Sequence, residues 1–175
     1  MSEPEKKLVF SQSQIENRVR GLAKEISQAY QGKDLVLVGV LNGVFIFLSD
    51  LVKEMTIPLK VDFVRLASYG PGSVSSGKVE MKKDIEQNLE GRHVLIVDDI
   101  ADGGLTLDYL KKHLTAHKPA SIKICVLIDK KERRSVPVEI DFTGFEIERG
   151  FLVGYGLDYD EQYRYLRDIY HLIVD

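Results

Sequence analysis

Residues 94–97 form an uninterrupted apolar run that ends in two adjacent acids, Asp98 and Asp99. Ile100 and Ala101 separate these from a third acid, Asp102, which is followed by Gly103, Gly104, Leu105 and Thr106. Charges at the end of an otherwise apolar strand are unfavourable unless something pairs with them, and a metal ion or sugar hydroxyls would do so. Glycines allow the main chain to approach a ligand closely, which a β-carbon would resist. The backbone N–H groups of such a turn, with the N-terminus of the helix behind it, converge where a phosphate could sit. Thr106 is expected to add a hydroxyl donor and to cap that helix. Asp, Gly and Thr also serve ordinary capping and turn formation, so it is the paired acids that carry the functional reading.

The elements around this stretch read as an α/β chain. Ser13 and Glu16 have the form of a capping box, and Ile15, Val19, Leu22 and Ile26 then recur at helical spacing. Residues 35–41 are nearly all apolar, which suits a strand buried on both faces; residues 94–97 and the near-continuous apolar run 122–128 also read as strands, and residues 59–66 as another strand. Helices are expected over residues 44–52 and 106–117. Strand, helix and strand alternate here as in a parallel sheet with right-handed crossovers. Residues 67–78 are rich in Ser and Gly around Pro71 and read as a mobile flap, with residues 79–81 as its returning strand. From residue 136 onward, short strands at 139–142, 151–153 and 169–174 suggest a small lobe set over the sheet. The expectation is one domain over residues 1–175, with a hood of about residues 136–175 and the N-terminal segment.

Composition narrows the function. With 175 residues, 44% of them hydrophobic, the chain can bury one sizeable core but hardly two. The 24 basic and 27 acidic side chains are interspersed, so no basic stripe offers itself to nucleic acid or a membrane surface. A phosphate-rich ligand would have to be held by backbone amides, single basic residues or a bridging cation. Cys125, the single cysteine, lies in an apolar run and reads as a core thiol. A polar N-terminus and short apolar runs point to a soluble, cytoplasmic protein. His113 and His117 stand one helical turn apart and could form a metal pair, but no third ligand is evident and both are expected on the helix's solvent face.

Residues 94–107 resemble the motif with which type I phosphoribosyltransferases bind 5-phosphoribosyl-1-pyrophosphate (PRPP). Residues 38–43 (VGVLNG), 68–70 (SYG), Asp129-Lys130, and 151–159 (FLVGYGLDY) with Arg164 beyond are similar to the hypoxanthine-guanine branch of that family, in its order. The resemblance implies the type I phosphoribosyltransferase fold, a mostly parallel sheet flanked by helices with a small hood from the chain termini. It implies Mg2+-dependent transfer of phosphoribosyl from PRPP to a 6-oxopurine. Asp98 and Asp99 would bind the ribose hydroxyls, directly or through Mg2+, while Gly103, Gly104, Leu105 and Thr106 would cradle the 5-phosphate. Asp102 would accept the purine N7 proton. Lys130 would donate to the 6-oxo group, Phe151 would stack on the base, and Ile100, Leu152 and Asp158 would line its edge. The Asp158 side chain would also hold Mg2+. Leu41, Asn42 and Gly43, through a cis peptide, would meet the pyrophosphate with Ser68, Tyr69 and Arg164. Relatives usually form homodimers or homotetramers. Three departures stand out: Asn42 where many relatives carry Lys or Arg, Asp98 where they carry Glu, and Gly103 where they carry Ser or Thr. Two other readings are an RNA-binding regulator on the same fold, which would need a basic face, and a phosphate-accepting signalling domain using Asp98 and Asp99.

Overall fold

Strands β2 (Leu35–Leu41), β5 (His93–Ala101) and β6 (Ser121–Lys130) are apolar on both of their faces, so both faces of the sheet that they form must be covered. The computed structural model, which describes residues 4–69 and 78–173, shows how. Leu35, Leu37, Leu95, Val97, Cys125 and Leu127 face one core, filled by Ile15, Val19, Leu22 and Ile26 of α1 (Gln12–Ala29) and Phe47, Leu48 and Leu51 of α2 (Phe45–Glu54). The alternate residues Val36, Val38, Val94, Ile96, Ile124 and Val126 face a second core, under Leu107, Leu110 and Leu114 of α3 (Leu105–Thr115). The period of two along each strand thus divides the helices between two layers.

Among the described residues the main sheet has the order β4-β3-β2-β5-β6-β7, with β3 (Lys60–Tyr69) and β7 (Phe142–Ile147) parallel to the central strands and β4 (Lys78–Lys83) antiparallel. The connection from β2 leads outward through α2 to β3, and that from β5 leads the other way through α3 to β6. The chain therefore parts between the carboxyl ends of β2 and β5, the switch point at which open α/β sheets accept ligands. A second, antiparallel sheet pairs β1 (Glu5–Phe10) with β9 (Ile169–Ile173) and β9 with β8 (Leu152–Val153). Leu152, Tyr155, Leu157 and Ile169 bring this hood onto the α1–α2 core, and Phe10 stacks on Phe145 of β7 at 3.9 Å. No helix among the described residues is long and apolar enough to cross a membrane.

Several sequence expectations are corrected. The capping box is Ser11 with Gln14, because β1 delivers an extended Ser11 to the helix start two residues before Ser13. Strands β5 and β6 run on to Ala101 and Lys130, since the ladder continues through Ile100–Ile128 and Ala101–Asp129, and the site acids stand inside the sheet rather than after it. The strand expected at 139–142 is β7 at Phe142–Ile147, and it extends the main sheet instead of joining the hood. Residues 70–77, most of the expected flap, lie outside the described residues.

Candidate active site

The end of β5 brings the acids together under strong desolvation. Asp98 is 8% exposed, and its Oδ1 accepts the Asp99 N–H at 2.9 Å. Asp99 Oδ1 accepts the Ile100 N–H at 2.9 Å. Burial, and then the neighbouring Asp99 charge, pushes the Asp98 carboxyl well above the usual carboxylate range. Burial raises Asp99 too, while a hydrogen bond with Asp98, backbone N–H groups and Arg164 hold it back. Among the described residues neither carboxylate has an ion-pair partner, so both are left to take a cation or sugar hydroxyls.

After Ala101 the chain turns through Asp102, Gly103 and Gly104 into α3. Gly104 has φ of 91°, and a β-carbon there would run into the Val136 carbonyl. The Gly103 carbonyl accepts the N–H groups of Ser135 and Val136 at 3.0 and 3.1 Å, which fixes the turn. Thr106 does not cap the helix: Gly104 is the N-cap, without a side-chain cap bond, and Thr106 stands in the first turn. The amides of that turn have no intrahelical acceptor and are left for a ligand. They open on a cavity of about 720 Å³ lined by Asp98, Asp99, Asp102, Gly103–Thr106 and Ser68, with Arg133 and Ser135 across it.

A second cavity, of about 180 Å³, abuts the first and shares Asp99, Ile100, Asp102 and Arg133 with it. Its other walls are Lys130, Phe151, Leu152, Leu157 and Asp158. Lys130 is 4% exposed, and its Nζ stands 3.0 Å from the Gly150 carbonyl and 3.2 Å from Asp102 Oδ2. Asp102 Oδ1 is buried without a hydrogen-bond partner among the described residues. One oxygen of this carboxylate is therefore anchored while the other is left able to accept a proton. Phe151 stands edge-on to Tyr159 at 5.4 Å and is 39% exposed.

This architecture is shared widely: residues 9–160 match the phosphoribosyl transferase domain family. The chain belongs to that family. A hypoxanthine-guanine phosphoribosyltransferase of Aquifex aeolicus (strain VF5) is 46% identical over 165 residues, covering 94% of this chain and 93% of the relative. One from Bacillus subtilis (strain 168) is 43% identical, over 91% of this chain and 89% of its own length. The crystal structure of a hypoxanthine phosphoribosyltransferase from Staphylococcus aureus superimposes with a TM-score of 0.92 at 38% identity, covering 95% of this chain and 91% of that one.

Within this phosphoribosyl transferase domain the remaining expected residues stand at the rims. The Leu41–Asn42 peptide is cis. Gly43 packs so tightly on the Asp99 carboxylate that a β-carbon would overlap it, and Gly156, at φ of 97°, packs likewise on the Gly43 carbonyl. Arg164 donates to the Gly156 carbonyl at 2.7 Å and pairs with Asp158 at 3.0 Å. Asp158 also accepts the Glu161 N–H at 2.9 Å, so both of its oxygens are engaged. Leu41, Asn42, Gly43 and Arg164 line neither cavity, and of Tyr69 only the backbone, paired with Lys78, is described. Sequence reasoning missed Arg133, at the wall common to both cavities, and Arg134. The Arg134 guanidinium donates to the Asp102 and Ala101 carbonyls at 2.8 and 3.2 Å and to Asp129. It thereby ties the acid turn to the end of β6. The run of bases from Lys130 to Arg134 was its only sequence signal, and such a run ordinarily reads as a solvated surface.

Proposed function

We propose that this chain transfers the 5-phosphoribosyl group of PRPP to a 6-oxopurine, hypoxanthine or guanine, releasing pyrophosphate in purine salvage. The observation that carries the reading is the meeting of a cavity lined by the glycine turn and helix N-terminus and a smaller cavity, walled by Phe151 and Lys130, at a single half-anchored carboxylate, Asp102. In the larger cavity the amides of Gly104, Leu105 and Thr106 take the 5-phosphate, and Asp98 and Asp99 face the ribose. In the smaller, Phe151 stacks on the base and Lys130 donates to its 6-oxo oxygen, which disfavours an amino group at that position.

The bond from C1 of the ribose to pyrophosphate breaks with the electron pair leaving on oxygen, and a purine nitrogen forms the new bond to C1. Positive charge develops on the ring, and the buried acids oppose it. The proton lost by the purine passes to the unpartnered oxygen of Asp102, whose other oxygen Lys130 holds still. The residues fit hard divalent cations: Asp98 and Asp99 are oxygen ligands without a cationic partner, and Asp158, on the wall of the smaller cavity, would offer a separate oxygen ligand once Arg164 turns to the pyrophosphate. Mg2+ bound there would neutralise the polyanionic leaving group. Leu41, Asn42, Gly43, Ser68 and Tyr69 are proposed to complete the pyrophosphate contacts.

The test is a pyrophosphate-release assay with PRPP, Mg2+ and hypoxanthine. The wild-type chain should form the nucleotide, and Asp102→Asn should lower kcat by about 10²- to 10⁴-fold with the KM for PRPP little changed. Absence of turnover in the wild type, or unaltered kcat in the variant, overturns the reading.

A further inference from the structure

The β3–β4 hairpin ends beside α3, and this brings a third metal-binding group to the two histidines that the sequence leaves as a pair. Asp84 directly follows β4, and its Oδ1 and Oδ2 lie 2.9 and 3.0 Å from His113 Nε2. One ligand atom from each of Asp84, His113 and His117 falls within 4.8 Å of the others. We propose that these three residues bind a borderline divalent transition-metal ion such as Zn2+, which would clip β4 to α3 outside the candidate active site. None of the three lines either cavity described above.

Geometry and ligand chemistry both support the site. Tetrahedral ligation at about 2.0–2.2 Å places donor atoms about 3.3–3.6 Å apart, so closing this set needs only small rotations of side chains that are exposed or half-buried. Two of the ligands are already oriented. The His113 ring stacks parallel to Tyr109, at 6.3 Å and 9°, and Asp84 Oδ1 accepts the Ile85 N–H at 2.7 Å. His117, one turn further along α3, sets its ring edge-on to His113 at 5.6 Å. Two imidazoles and one carboxylate suit Zn2+, Ni2+ or Cu2+ and not Mg2+, which prefers oxygen donors, and the remaining positions are open to water. This site is therefore chemically distinct from the carboxylates Asp98, Asp99 and Asp158 of the candidate active site. An ion bound here would join the return strand of the hairpin to the helix whose first turn lines the larger cavity.

The test is a calorimetric titration of the full chain with Zn2+ in excess Mg2+, which competes for the carboxylates of the candidate active site. The wild type should take up one Zn2+ per chain at micromolar concentrations. Asp84→Asn and His117→Gln should each weaken that uptake by about tenfold or more, while both variants still transfer phosphoribosyl in the pyrophosphate assay, which certifies their fold. Co2+ should give a visible absorption band in the wild type that is lost in His117→Gln. Wild-type protein that takes up no Zn2+ at these concentrations, or variants that bind it as tightly as the wild type, would overturn the proposal. Neither result bears on purine transfer, which Asp102→Asn tests separately.

Discussion

Replacing Lys130 by Met keeps most of the aliphatic stem and removes only the ammonium group, so it isolates what that buried charge does. Two acceptors lose their donor, the Gly150 carbonyl at 3.0 Å and Asp102 Oδ2 at 3.2 Å. Breaking a fully buried ion pair from one side costs about 3–5 kcal/mol. Here the Lys130 side chain is 5% exposed but that of Asp102 is 33%, so water can partly repay the carboxylate. Adding about 1 kcal/mol for the orphaned carbonyl, the expected loss is roughly 2–3 kcal/mol. Urea unfolding should show this as a lower midpoint at unchanged slope, and heating as a fall in Tm of about 5–10 °C. In the enzyme assay, a lost hydrogen bond from a charged donor to the 6-oxo group is worth about 1.5–3 kcal/mol. The KM for hypoxanthine should accordingly rise about 10- to 150-fold while the KM for PRPP moves little. Because Lys130 and Asp102 are in contact, the stability effects of Lys130→Met and Asp102→Asn should be non-additive by about 1 kcal/mol or more. Additive effects, or equal changes in the two KM values, would refute the assignment of Lys130 to the base and to Asp102.

Other consequences follow from the packing. Gly156→Ala combines an unfavourable φ of 97° with overlap on the Gly43 carbonyl, so it should lose about 2–4 kcal/mol of stability in urea titrations and weaken PRPP binding together with it. Ser11→Ala should destabilise by about 1 kcal/mol through loss of the α1 capping box whereas Ser13→Ala should be nearly neutral, a difference that thermal unfolding resolves. Burial pushes the Asp62 carboxyl up, but the N–H groups of Gln87, Glu86 and Phe63 and the Lys83 ammonium pull it further down, and it ends below its ordinary value. A depressed folded-state value means that the unfolded chain binds the extra proton. Asp62 therefore contributes its full stabilisation above about pH 4 and loses it as pH falls through its folded-state value. Urea midpoints taken from about pH 7 to about pH 3 should fall more steeply for the wild type than for Asp62→Asn.

Local signals along the chain set the layout. Apolar runs in β2, β5 and β6 demand a sheet buried on both faces, and helical spacing in α1 and α3 demands helices to cover it. Paired acids before a glycine turn mark where a strand hands over to a helix N-terminus. Each of these depends on residues within a few positions of one another. Tertiary structure alone decided the contacts between elements, because they depend on strand register and helix placement, which the linear spacing does not encode. The ladder from Ala101 to Asp129 puts Lys130 beside Asp102 and lets Arg134 grip the acid turn. Asp84 meets His113, 29 residues away, only because the β3–β4 hairpin closes against α3. Strand β7 looked like part of the hood by its distance along the chain, yet β6 offered it a free parallel edge inside the main sheet. Backbone amides and carbonyls at that edge must be hydrogen-bonded somewhere, and pairing there satisfied them.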